Sequence, residues 1–193
     1  MTITKLDAAR RQLNSAIELF FGDGDSLAIQ TLAHASFKLL YDLYGKWRTD
    51  GYLARLNELL TPVGWKRLSE VPNFLKHADK DHDAVLADHS AEAVVSTIGI
   101  ACVLYARLGL EMTPEMQAFD DWAKVMNPDL FEVPRDPDED LEQAYRESLR
   151  VLRDSPWNVQ LMTGKATLAM YRDNPHYLRE RAERRAKVWR AVR

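Results

Sequence analysis

The sequence predicts an all-α fold, an antiparallel helical bundle that carries a helical C-terminal extension. Apolar residues recur every three or four positions along most of the chain, which is the period of a helix with one buried face. No long segment shows the alternation of apolar and polar residues that a half-buried strand requires. With 193 residues, of which 46% are hydrophobic and 28% charged, the chain is long enough to bury a core without disulfides.

Two amphipathic helices are predicted first, at about Thr4–Phe21 and Ser26–Trp47. Leu13 and Ile17 lie on the apolar face of the first helix, and similar rows continue along the second. Between them, Gly22-Asp23-Gly24-Asp25 favours a turn, and Asp25 or Ser26 is suited to cap the second helix. Because this connection is short, the two helices are expected to be antiparallel neighbours.

A less regular section is predicted from Arg48 to Asp88. It begins with a short helix at about Tyr52–Leu60, which ends where Pro62 and a nearby glycine interrupt the pattern. A further turn is predicted around Trp65–Leu68. Because proline suits the first turn of a helix, residues Pro72 to Ala78 are expected to form one or two new helical turns.

The most apolar helix is predicted at about Ser90–Leu110. Its apolar residues cover most of its circumference, which is typical of a helix at the centre of a bundle or buried against a second subunit. Because two-fold assembly is the usual way to bury such a surface, we expect a homodimer. Cys102, the single cysteine, lies in this helix and is expected to be a small buried residue that forms no internal disulfide.

The last third of the chain is expected to form a separate extension. An acidic, proline-containing stretch at about residues 129–140 resembles a linker, and the helices around it begin at capping residues or prolines. The predicted helices are Thr113–Met126, Asp138–Arg153, Ser155–Tyr171 and His176–Val192. We therefore divide the chain into a bundle core at residues 1–112 and an α-helical extension at residues 113–193.

Composition limits the classes of function. The formal net charge of -3 indicates neither a nucleic-acid nor a membrane partner by bulk charge. The N-terminus turns polar at once, and the longest apolar region is interrupted by polar residues, so neither a signal peptide nor a membrane span is expected. A cytoplasmic location follows as the expectation. Phosphate-binding glycine loops and nucleophile elbows are absent from the sequence.

Functional side chains concentrate in the segment from Pro72 to Asp83. Asn73 and His77 are four residues apart, so they share a face if the segment is helical. An amide beside an imidazole suits the positioning of a phosphate or a water molecule, with His77 as general acid or base. The structural alternative is that Asn73 caps a helix and that His77 donates to a backbone carbonyl.

The same segment suggests a divalent metal ion, the one cofactor that the sequence indicates. His77, Asp81 and His82 offer nitrogen and oxygen ligands of the kind that transition metals bind. A calcium loop is excluded, since Ala84 replaces the required glycine and Ser90 replaces the bidentate glutamate. The alternative is a solvated turn that caps the following helix.

The first two helices, the segment Asn73-Phe74-Leu75-Lys76-His77 and the apolar helix after it carry a resemblance. They resemble a group of uncharacterised bacterial helical proteins and, more distantly, HEPN domains. Many HEPN domains are ribonucleases or nucleotide-handling modules that dimerise so that two Arg-Asn-x-x-x-His motifs meet. The resemblance implies that Asn73 and His77 are the site residues, near an inter-subunit cleft. Pro72 stands where the motif has its arginine, so binding is favoured over catalysis.

These observations predict a HEPN-like cytoplasmic protein that binds a nucleotide or RNA. Two alternatives stay open. One is a structural or protein-interaction helical protein without catalysis, and the other is a protein that binds a divalent metal through the segment from His77 to Asp83.

Overall fold

The computed structural model describes residues 2–77, 79–80, 82–86, 91–128 and 139–178. Every regular element within these ranges is helical, which confirms the predicted all-α fold. The helices are α1 (Lys5–Phe21), α2 (Ser26–Trp47), α3 (Tyr52–Lys76), α4 (Ala91–Arg107), α5 (Pro114–Met126), α6 (Glu139–Arg153) and α7 (Trp157–Asp173). None of the helices in the described ranges is long and apolar enough to cross a membrane. Most of the predicted helix at His176–Val192 lies outside the described residues.

The chain divides into two compact units. The first contains residues 1–20 and 24–112, and the second contains residues 21–23 and 113–193.

In the first unit, α2 and α4 pack against each other, and α3 contacts both. Asp25 caps α2 by accepting a hydrogen bond of 2.9 Å from the Ala28 N–H, so the predicted capping position is confirmed. The buried Ser36 hydroxyl of α2 donates to the Ala9 carbonyl of α1 at 2.8 Å. Cys102 is a buried free cysteine of α4, as expected.

The structure confirms one prediction for the section after α2 and corrects another. The span from Tyr52 to Lys76 consists of two helices that meet at a kink at Thr61, with φ 50° and ψ 168°, so the predicted helix at about Tyr52–Leu60 is confirmed. Pro62 follows this interruption, where a proline suits a new first turn. Pro72 was predicted to open a helix, and this is wrong: Pro72 lies inside α3 and is buried there. It is tolerated because a side chain from α2 replaces the hydrogen bond that the proline removes.

A polar cluster joins the ends of α2, α3 and α4. The Tyr44 hydroxyl donates to Asp50 at 2.6 Å, and Arg107 donates to the same carboxylate oxygen at 2.9 Å. The Arg107 guanidinium also lies 4.1 Å from the centroid of the Tyr52 ring. The hydrogen bond from Tyr44, followed by that from the Tyr52 backbone and the contacts with Arg107, lowers the pKa of Asp50 to about 2.

The second unit is built on α5 and α7. Thr113 caps α5, as predicted. The Trp122 indole of α5 donates to the Gln160 carbonyl of α7 at 3.0 Å. The buried Glu115 accepts two hydrogen bonds from Arg172, of 2.6 and 3.1 Å, which compensate its charge.

Candidate ligand-binding site

A cavity of 270 Å³ lies along the second part of α3, between the residues that follow Pro62 and the segment at Val85 and Leu86. Both predicted site residues, Asn73 and His77, line it. The full lining consists of Lys66, Ser69, Glu70, Asn73, Phe74, His77, Val85 and Leu86.

Four polar side chains form one row along this cavity. Lys66, Glu70, Asn73 and His77 follow each other at spacings of four, three and four residues. Residues with these spacings lie on the same face of a helix, each about 5–6 Å from the next at Cβ. Within the part of the chain that the structure describes, none of the four side chains forms a hydrogen bond or an ion pair. Lys66, Glu70 and Asn73 are exposed and His77 is half-buried, so solvent reaches this row and a ligand can reach it as well.

The remaining wall of the cavity is mainly apolar. Phe74 and Leu86 are half-buried, and Val85 is exposed beside them. The Ser69 hydroxyl donates to the carbonyls of Trp65 and Lys66 at 2.9 and 3.2 Å, so its hydrogen is used within its own helix. The cavity is thus an open groove that offers a row of polar groups beside an apolar surface, and both kinds of contact are used by sites for small organic molecules.

The structure does not place Asn73 and His77 in the simple capping roles that the sequence left open. Asn73 lies inside α3, and His77 is the residue that ends the helix. The His77 backbone N–H donates to the Asn73 carbonyl at 3.2 Å, which leaves both side chains out of the helix termination. The two residues are held together by backbone geometry, because the last turn of α3 puts them on one face.

The predicted metal ligands are not brought together by the described residues. His82 is exposed at 82% of its side chain, pairs with Asp83 at 3.1 Å, and does not line the cavity. Asp81, Asp88 and His89 lie outside the described residues. Among the residues that are described, no group of three histidines, cysteines or carboxylates is arranged to hold a metal ion. The described side chains alone therefore do not fit the divalent metal that the sequence suggested.

Sequence reasoning missed Lys66 and Glu70. Counting upstream from Asn73 in helical steps would have found both residues. The predicted helix starts at Pro72, and this start excludes both of them from the row.

Comparison with protein-family models, with curated proteins and with solved structures gives no match. A function is therefore inferred from the chemistry of the cavity.

Proposed function

We propose that this protein binds a nucleotide, free or as part of single-stranded RNA, in the cavity along α3 and does not cleave it. The observation that carries the proposal is the shared location of Asn73 and His77 with Lys66 in one cavity, where all three side chains lack partners among the described residues. We also propose that the protein is cytoplasmic and HEPN-like.

Each part of a nucleotide has a suitable counterpart in the lining. The Lys66 ammonium can donate charge-assisted hydrogen bonds to a phosphate, and the Asn73 amide can both donate and accept. Phe74 offers an aromatic surface on which a base can stack, and stacking tolerates different bases. Glu70 can accept from ribose hydroxyls, the groups that distinguish RNA from DNA. The volume of 270 Å³ lies below the roughly 300–1,000 Å³ typical of ligand sites, so the groove can hold at most one nucleotide unit.

The lining favours binding over cleavage. Cleavage of a phosphodiester requires a general acid or base and positive groups that stabilise the charge of the transition state. His77 can supply the first function, but Lys66 is the only cation that lines the cavity in the described ranges. Glu70 adds a negative charge to the same row and opposes any increase in phosphate charge.

The direct test is a titration of fluorescein-labelled ten-nucleotide RNA, followed by fluorescence anisotropy, together with thermal shifts in nucleoside monophosphates. We expect Lys66→Gln to weaken RNA binding about tenfold, as the loss of one charged hydrogen bond does. Arg67→Gln is the matched control, because it removes the same charge one position away and Arg67 does not line the cavity. Equal losses in both variants, or no binding by the native protein, would overturn the proposal.

The same RNA, run on a denaturing gel after incubation, separates binding from catalysis. We expect intact RNA with the native protein and with His77→Ala. RNA that is cleaved by the native protein and left intact by His77→Ala would show an enzyme instead.

A protein-interaction role is the second candidate, and two exposed apolar residues favour it. Leu59 and Val63 are exposed at 80% and 63% and lie on either side of Thr61. We propose self-association as a homodimer, either through this pair or through α4, where Val103 is exposed at 40%. Light scattering at micromolar concentration should give the mass of a dimer for the native protein. The double variant Leu59→Ser/Val63→Ser should give the mass of a monomer if the dimer forms through this pair, and Val103→Glu should do so if it forms through α4. A native monomer would reject this candidate.

A further inference from the structure

Pro72 creates a defect near the C-terminal end of α3. Proline has no backbone N–H, so the carbonyl four residues earlier, that of Leu68, loses its normal hydrogen bond within the helix. Both residues are buried, so water cannot replace the lost donor at low cost. The unpaired carbonyl destabilises the helix at this point unless another group donates to it.

Gln30 supplies the missing donor from α2. Its Nε2 atom donates to the Leu68 carbonyl at 3.0 Å and to the Thr97 hydroxyl oxygen at 3.0 Å. Thr97 in turn donates to the Ala93 carbonyl of its own helix at 2.7 Å. The Gln30 side chain is fully buried, and its Oε1 atom has no hydrogen-bond partner among the residues that the structure describes. One amide therefore connects α2, α3 and α4 at the proline.

The defect lies inside the candidate binding site. Lys66, Ser69 and Glu70 line the cavity from the turns before Pro72, and Asn73, Phe74 and His77 line it from the turn after Pro72. The course of α3 across Pro72 consequently sets the distance between Glu70 and Asn73, and with it the shape of the whole row.

We propose that Gln30 is a positioning residue for this cavity, because it donates to the Leu68 carbonyl that Pro72 leaves unpaired and so holds the two halves of the polar row in one continuous helix. Gln30 touches no ligand in this role and acts through Leu68. The binding part of the inference rests on the proposed function, whereas the positioning part does not.

Amide hydrogen exchange, read by mass spectrometry on peptides that cover residues 66–77, tests the positioning without any ligand. Gln30→Met keeps the length and shape of the side chain and removes both donors. We expect exchange in these peptides to accelerate about tenfold, the factor that one buried hydrogen bond is worth. Peptides from α1 are the internal reference and should change less.

Replacing Pro72, which causes the defect, should remove the need for Gln30. In a Pro72→Ala background, the new backbone N–H can donate to the Leu68 carbonyl, so Gln30→Met should then change exchange by about twofold or less. Should Gln30→Met fail to fold alone, the double variant is still expected to fold, and this contrast would support the inference. Equal acceleration by Gln30→Met in both backgrounds would overturn it, as would a double variant less folded than the single one.

The ligand arm uses the labelled RNA described above. Gln30→Met should weaken RNA binding about tenfold at a temperature where circular dichroism shows the variant fully folded. If the native protein binds no RNA, the proposed function fails while the exchange result still decides the positioning. If exchange accelerates and RNA affinity does not change, the link between Gln30 and the cavity is wrong.

Discussion

The close contact between Gly164 of α7 and Phe21 predicts a large effect from adding one methyl group. A Cβ atom at Gly164 would lie 2.0 Å from Cε1, 2.5 Å from Cδ1 and 2.7 Å from Cζ of the Phe21 ring. Carbon atoms pack at about 3.5 Å or more, so the ring would have to retreat by about 1.5 Å. Phe119 and Trp122 pack around the same ring, with centroids 6.3 and 6.2 Å from that of Phe21.

Two opposing terms determine the free energy of unfolding of Gly164→Ala. Overpacking of a filled core costs about 1–3 kcal/mol, and the size of this overlap places the cost at the upper end. Replacing glycine by alanine inside a helix returns about 1 kcal/mol. We therefore expect a net destabilisation of about 2 kcal/mol.

Gly64→Ala is the matched control. Gly64 is also helical, but its added Cβ would meet Leu60 at 3.5 Å, an ordinary contact. Only the smaller backbone entropy of alanine acts there, so this variant should raise the free energy of unfolding by about 0.5–1 kcal/mol. Urea unfolding followed by far-ultraviolet circular dichroism and tryptophan fluorescence measures both variants.

A Gly164→Ala protein as stable as the native one would refute the packing of Phe21 against α7. A second check is Phe21→Leu, which makes room for the new methyl group. Combined with Gly164→Ala, it should cost less than the sum of the two single changes.

Three further predictions concern strain and charge. Thr61→Gly should raise the free energy of unfolding by about 1 kcal/mol, because the φ and ψ of Thr61 suit only glycine. The backbone strain of about 1–3 kcal/mol that glycine relieves exceeds the entropy cost of introducing it. A lower urea midpoint for the variant would contradict this. Asp50→Asn should weaken the dependence of stability on pH in acid. The pKa of Asp50 is lowered to about 2 in the folded protein, so the stabilisation that its carboxylate contributes is present above the unfolded pKa of about 4 and is lost as the pH falls towards 2. Melting temperatures between about pH 5 and pH 2.5 measure this, and parallel curves for native and variant protein would exclude it. Arg172→Leu should destabilise the second unit by about 1–3 kcal/mol by leaving the buried Glu115 without its charged donor, while Arg150→Leu, which removes an exposed pair with Glu147, should change the urea midpoint little.

The start of a helix was predictable where the signal is local. Asp25 and Thr113 cap their helices with side chains that reach backbone groups three residues ahead. Pro72 was assigned wrongly because its compensation is not local: Gln30 and Leu68 are 38 residues apart in sequence. Nothing in the residues around Pro72 indicates that a distant amide will satisfy Leu68, so the same proline fits both a helix start and a braced helix interior.

In the candidate site, too, some features follow from nearby residues and others depend on distant ones. The pairing of Asn73 with His77 follows from a spacing of four residues, which a single turn of helix preserves wherever the helix begins. The addition of Lys66 and Glu70 requires α3 to continue through Pro72, and this depends on α2. Affinity at the cavity should therefore respond to Gln30, which does not line it, more strongly than to Arg67, which lies within one turn of the polar row. A site whose residues are local in sequence would show the opposite order, so the ranking of these two positions tests whether α2 determines the shape of the cavity.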